Sequence, residues 1–131
     1  MSNVLRPLLI AALAATLSGC LTGGSSRLAP ASEGVVALGD GLVGQTQVRL
    51  PGDVRAKALE AEFQALQFAP AGTPVDWTED RYQGSVVPTQ LYRIGEKDCR
   101  GYAHTLVAKG ASTKKVGTAC RGDDGLWRPV V

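Results

Sequence analysis

Cys99 and Cys120 stand at equal distances from Lys109-Gly110, and that symmetry constrains the fold of the C-terminal half of the chain. A two-residue hairpin turn at Lys109-Gly110 pairs residues whose numbers sum to 219, and the two cysteines meet that condition. Facing residues of an antiparallel pair have Cα atoms about 4.5–5.5 Å apart. A disulfide spans about 4.4–6.8 Å. The turn therefore predicts a Cys99–Cys120 bridge between neighbouring strands. Such a bridge closes 22 residues, which on chain-entropy grounds contributes about 3 kcal/mol. The same register sets Tyr102 opposite Gly117, where a ring can cover a strand glycine. It sets His104 opposite Lys115, a poor setting for a metal ligand.

Around this pair the text after residue 72 reads as strands separated by turn clusters. Pro74–Trp77 is a short one. Gln83–Val87 and Thr89–Ile94 read as one strand or two, bent at Pro88. Cys99–Val107, Thr113–Cys120 and Leu126–Val130 follow, parted by Gly95-Glu96-Lys97-Asp98, Lys109-Gly110 and Gly122-Asp123-Asp124-Gly125. Short loops between consecutive strands predict an antiparallel meander. Before it, Pro51-Gly52-Asp53 reads as a turn with Asp53 as a helix cap. Val54, Ala58, Leu59, Glu62, Phe63 and Leu66 then recur near the helical period, with Leu59, Phe63 and Leu66 as the core stripe. Ala69-Pro70 and Gly72 stop the helix. The glycine-containing stretch Val35–Leu50 reads as a short extended segment or loop. The expectation is an α+β fold: one amphipathic helix packed on a 4–5-stranded antiparallel β-meander, preceded by a signal peptide and a flexible tether.

The N-terminus carries a different kind of message. Leu8–Leu17 is apolar apart from Thr16. This run is too short to cross a bilayer, which takes about 20 residues, but it has the length of a signal h-region. It ends in Leu17-Ser18-Gly19-Cys20, which is similar to the lipobox of bacterial lipoproteins. That resemblance implies cleavage before Cys20 and acylation of both its thiol and its new amino terminus. Each buried methylene contributes about 0.8 kcal/mol, so several chains on one residue hold a protein to a membrane where a single chain does not. Leu21, rather than Asp, at the next position favours the outer membrane over inner-membrane retention. Thr22–Gly34, rich in Gly, Ser, Ala and Pro, reads as a tether with a root-mean-square reach of about 20 Å. The expected divisions are a signal peptide at 1–19, lipidated Cys20 and tether at 20–50, and an α+β domain at 51–131. With Cys20 acylated and Cys99 bridged to Cys120, all three cysteines are accounted for.

Little in the text points to chemistry. The formal net charge is +2 over 131 residues, and the basic residues are scattered, without the stripe of a nucleic-acid binder. There is one histidine and no metal-ligand spacing. Asp123-Asp124 and Glu79-Asp80 read as turn residues, the serines lie in no nucleophile motif, and the cysteine pair lacks the CxxC spacing of redox enzymes. Trp77 and Trp127 suit core or edge packing better than a ligand groove. The expectation is no catalytic, cofactor-binding or metal-ligating residue, and no cofactor beyond a covalent lipid on Cys20.

Six features stand out in order along the C-terminal part: Gly72-Thr73-Pro74-Val75-Asp76-Trp77, Gly84-Ser85-Val86-Val87-Pro88-Thr89, Tyr92, Cys99-Arg100-Gly101-Tyr102, Gly117-Thr118-Ala119-Cys120-Arg121 and Asp124-Gly125-Leu126-Trp127. Together they resemble the C-terminal domain of the 17-kilodalton surface antigen family of Gram-negative outer-membrane lipoproteins. The resemblance implies a non-enzymatic, lipid-anchored outer-membrane lipoprotein with a structural or interaction role in the cell envelope. Its domain would lie in the periplasm or at the cell surface. A periplasmic binding or inhibitor module contacting an envelope protein or peptidoglycan is the alternative. Family members often carry a long glycine zipper ahead of this domain. Val35–Gly44 is too short for one and contains Asp40, so membrane insertion of a hairpin does not carry over.

Overall fold

The computed structural model describes residues 31–130, so the expected signal peptide at 1–19, Cys20 and the first part of the expected tether lie outside the described residues. Three helices precede five strands: α1 (Glu33–Ala37), α2 (Gly41–Gln45), α3 (Gly52–Phe68), β1 (Val75–Glu79), β2 (Tyr82–Ile94), β3 (Lys97–Ala108), β4 (Ala111–Arg121) and β5 (Trp127–Pro129). The strands form one antiparallel sheet in the order β1-β2-β3-β4-β5. The expected α+β meander is present, with five strands.

The register follows from the turn. Lys109 and Gly110 both take positive φ, 52° and 76°, as a type I′ turn requires. Ala108 pairs with Ala111, Tyr102 with Gly117, His104 with Lys115 and Cys99 with Cys120, all summing to 219. The disulfide joins Cys99 and Cys120, whose Cα atoms lie 4.0 Å apart. That is closer than the expected spacing, even for the narrow kind of antiparallel pair at about 4.5 Å.

Strands β2 and β3 are the longest, and one bulge reconciles them. The pairing shifts by one residue between Pro88↔Tyr102 and Leu91↔Arg100. Thr89 fills the gap: its Oγ1 accepts from the Gly101 N–H at 2.8 Å. A Cβ at Gly101 would lie 3.0 Å from Thr89 Cγ2, so a side chain opposite the bulge would have to displace Thr89 by a few tenths of an ångström. Pro88 is tolerated in this inner strand because its nitrogen faces the β1 side beyond Val75, where β1 has ended. Its carbonyl on that side accepts from the Gly72 N–H at 2.8 Å.

The helices cover one face of the sheet. Along β3, Arg100, Tyr102, His104, Leu106 and Ala108 are buried in strict alternation. Against them α3 buries Val54, Ala58, Leu59, Ala61, Glu62, Ala65 and Leu66. A fully buried Leu contributes about 1.5–3 kcal/mol, so this face accounts for much of the core. Phe63 is only half-buried and packs at its margin, so the stripe is centred one residue earlier than Leu59, Phe63 and Leu66 suggested. Asp53 also differs from expectation. Helix α3 starts at Gly52, after Pro51, with no side-chain cap. Asp53 is thus inside the first turn, where a carboxylate still favours the helix dipole.

Val35–Leu50 is neither extended nor a loop throughout. Ser32 caps α1, its side chain accepting from the Val35 N–H. Val35, Leu38, Leu42 and Val43 are all buried in the core. The packed body therefore begins near Ser32, not at residue 51, so residues 33–50 belong to it and not to the expected tether. The physical reason is a close approach: α1 and α2 lie against α3 at glycines, Gly34 beneath the Phe63 ring and Gly41 against Glu62 and Leu59.

Candidate functional site

A line of polar side chains runs through the core between helix and sheet. Glu62 of α3 and His104 of β3 both have fully buried side chains. The Leu42 N–H, at the start of α2, donates to Glu62 Oε1 at 2.7 Å. Trp77 Nε1 donates to His104 Nε2 at 2.9 Å. An indole N–H can only donate, so Nε2 is the acceptor and the neutral ring carries its proton on Nδ1. Nδ1 lies 3.2 Å from Glu62 Oε1, within ion-pair reach but without the alignment of a hydrogen bond. Glu62 Oε2, His104 Nδ1 and the Tyr102 hydroxyl have no hydrogen-bond partner among the described residues. Burial, and secondly the charge of Glu62, push the Tyr102 hydroxyl well above its ordinary pKa, so it stays protonated.

This cluster needs two glycines. A Cβ at Gly41 would overlap Glu62 Oε2, and Gly41 also takes φ 60°. A Cβ at Gly84 would lie 2.5 Å from Trp77 Nε1. Gly84 is the cross-strand partner of Trp77, and the indole lies over it; Gly117 pairs with Tyr102 as expected, but it is Leu42 of α2 that fills the space over it.

Arg100 makes the second buried polar arrangement. Its Nη1 donates to the carbonyls of Ala65 (3.1 Å) and Leu66 (2.9 Å). Nη2 donates to Ala69 (2.9 Å), and Nε to Thr89 (2.9 Å). Three of these four acceptors lie in the last turn and cap of α3, whose final carbonyls lack partners inside the helix. A cation there also complements the helix dipole. Desolvation lowers the Arg100 pKa from its ordinary value, but a guanidinium remains charged in proteins.

The remaining residues singled out from sequence fall into place around these. Trp77 and Trp127 are buried. Trp127 Nε1 donates to Gln67 Oε1 at 2.9 Å, and the Arg121 guanidinium lies 5.2 Å from the Trp127 ring centre. Asp124 accepts from the Leu126 N–H at 3.1 Å and pairs with Arg128 at 2.6 Å. Asp80 takes φ 57° in the β1–β2 turn. The aspartates thus serve turns, as their sequence context suggested. Cys20 lies outside the described residues. Sequence reasoning placed Glu62 on the periodic face but not in a polar cluster. The signal was an acidic residue at a core position of α3, where a carboxylate requires a partner.

Among the described residues, no group of three or more His, Cys, Asp or Glu side chains is arranged to hold a metal. No described helix is long and apolar enough to cross a membrane.

The class defined by these features is a small α+β domain in which a disulfide-bridged antiparallel meander is covered by helices on one face. Comparison with known proteins finds relatives for part of the chain. Two curated relatives, the 17 kDa surface antigen of Rickettsia bellii (strain RML369-C) and that of Rickettsia bellii, are each 39% identical to the chain over 70 residues. The match covers 51% of this chain and 44% of each relative, so the chain spans less than half the length of the relatives it matches. It supports the assignment to the 17-kilodalton surface antigen family that the motifs implied. No family model matches the chain. No solved structure matches it.

Proposed function

We propose that the chain is a non-enzymatic, lipid-anchored outer-membrane lipoprotein with a structural or interaction role in the cell envelope. The observation that carries this reading is Leu17-Ser18-Gly19-Cys20 at the end of an apolar run of signal-peptide length. The Cys99–Cys120 bridge is in keeping with an oxidising compartment. It leaves Cys20 as the remaining cysteine of three. The name carried by the relatives, surface antigen, agrees with an envelope location. The polar residues of the shared motifs pack the domain: Arg100 closes α3, Thr89 fills the bulge, and Trp77 binds His104.

Fractionating cells that express the full chain tests the anchor. The native chain is expected in the outer-membrane fraction. The Cys20→Ser chain, which lacks the thiol for acylation, should be lost from that fraction. Equal retention of both in the outer membrane, after washing at high pH, overturns the reading. The alternative, a periplasmic binding or inhibitor module, draws on the open edges of the sheet, which can pair with another chain. Its domain would be recovered in stoichiometric complex with one envelope protein.

A further inference from the structure

The two open edges of the sheet carry opposite charge and fit one another. Strand β4 has eleven residues, but β5 pairs only with Ala119–Arg121. The last backbone bond on that side runs from the Val130 N–H to the Thr118 carbonyl at 2.8 Å. This bond fixes which groups of β4 point outward. Because bonding direction alternates along a strand, the N–H and C=O groups of Ser112, Lys114 and Val116 face away from β3. No other described backbone group pairs with them. On the far side of the sheet, the pairing of Glu79 with Tyr82 across the two-residue turn leaves the N–H and C=O groups of Asp76 and Thr78 pointing outward from β1. They too have no described backbone partner.

The side chains flanking the two edges differ in sign. The β4 edge bears Lys114 and Lys115, with Lys109 in the adjoining turn. The β1 edge strand bears Asp76 and Glu79, with Asp80 and Arg81 offsetting each other in its turn. None of these side chains makes an ion pair with another described residue. Lysine on an edge strand guards against a copy of the same edge, since β4 against β4 brings lysine near lysine. It offers no such protection against an acidic edge.

Strand direction and face also agree. In a meander β1 and β4 run in opposite directions, so a second copy in the same orientation sets its β1 antiparallel to β4 of the first. The outward-pointing residues of both edges project their side chains to the face away from the helices, as the burial of Trp77 between Asp76 and Thr78 and the 69% exposure of Val116 show. Asp76 opposite Lys114 and Thr78 opposite Ser112 would join the outward backbone groups of those four residues and set a carboxylate against an ammonium.

We infer that the chain self-associates head to tail, the acidic β1 edge of one copy adding to the basic β4 edge of the next. Such a contact joins two different surfaces and does not close on itself, so it builds a series of oligomers rather than a dimer. The inference goes beyond the proposed lipid anchor and does not depend on it.

Sedimentation velocity of the full chain in detergent micelles tests this across protein concentration and salt. The native chain is expected to form a concentration-dependent series that shrinks as salt rises. Lys114→Glu and Asp76→Lys should each weaken association about tenfold or more, since like charges then face each other. Mixing the two variants should restore it, because each then offers an edge opposite in charge to one on the other. Val116→Pro, which removes an outward N–H but no hydrogen bond of the β3–β4 ladder, should also weaken it, with Trp fluorescence unchanged as the check on folding. A chain that stays monomeric at all concentrations overturns the inference. So does association indifferent to both charge reversals, or a monomer that instead captures an added acidic peptide at the β4 edge.

Discussion

Arg100 shows how much of this fold rests on single polar residues. Four carbonyls, three of them at the end of α3, converge on one guanidinium that is itself buried. Its planar fork is what allows one side chain to reach them together. Arg100→Met fills a similar space but leaves those carbonyls unpartnered, and should cost about 3 kcal/mol in urea-induced unfolding. Arg100→Lys keeps the charge but not the fork and should recover only part of that loss. A neutral result for Arg100→Met would show that water replaces the guanidinium. A second residue-scale test concerns Asp124, whose carboxyl is held down to about 2, from an ordinary 3.8, chiefly by its hydrogen bond from Arg128. A depressed carboxyl contributes stability that is complete above its unfolded pKa and is lost as pH falls through the folded one. The contribution of this exposed pair should therefore fade between pH 3.8 and about 2. NMR titration of the Asp124 carboxyl carbon should give that low midpoint, and Arg128→Met should return it towards its ordinary value.

At the scale of elements, the β3–β4 hairpin was the most legible part of the sequence. Lys109-Gly110 set the register, and the register set the disulfide and the Tyr102–Gly117 pair. The turn is not ideal, because Lys109 takes φ 52°, a region that favours Gly and Asn. Lys109→Asn should raise stability by about 0.5–1 kcal/mol, measured as a higher denaturant midpoint with unchanged slope. A lower midpoint would mean that the lysine side chain contributes more than backbone strain costs. Helices α1 and α2 were not legible in the same way. Their buried residues, Val35, Leu38, Leu42 and Val43, do follow a helical spacing. Two five-residue helices broken by Gly39 and Gly41 give too short a pattern to stand out from a glycine-rich loop. Their helical state comes from packing on α3 and on Gly117, a tertiary effect. The bulge at Thr89 was half-legible: Pro88 signalled a bend, but the hydroxyl that satisfies Gly101 becomes apparent only once β2 and β3 are paired. The Glu62–His104–Trp77 line was illegible for the same reason, since its members come from three separate elements.

At the scale of the molecule, the described domain is a sheet with one face covered and two edges open, fastened by a bridge between its central strands. The proposed lipid on Cys20 would hold this body at a membrane without a spanning helix among the described residues. Both ideas meet in the state of the three cysteines. Intact-mass analysis of the protein extracted from membranes, alkylated under denaturing conditions first without and then with reductant, examines all three together. The account predicts a chain beginning at Cys20 and carrying acyl groups there, with no alkylation until reductant is added and two alkyl groups afterwards. A chain that retains Met1–Gly19, a Cys20 that alkylates without reductant, or free thiols at Cys99 and Cys120 would contradict it.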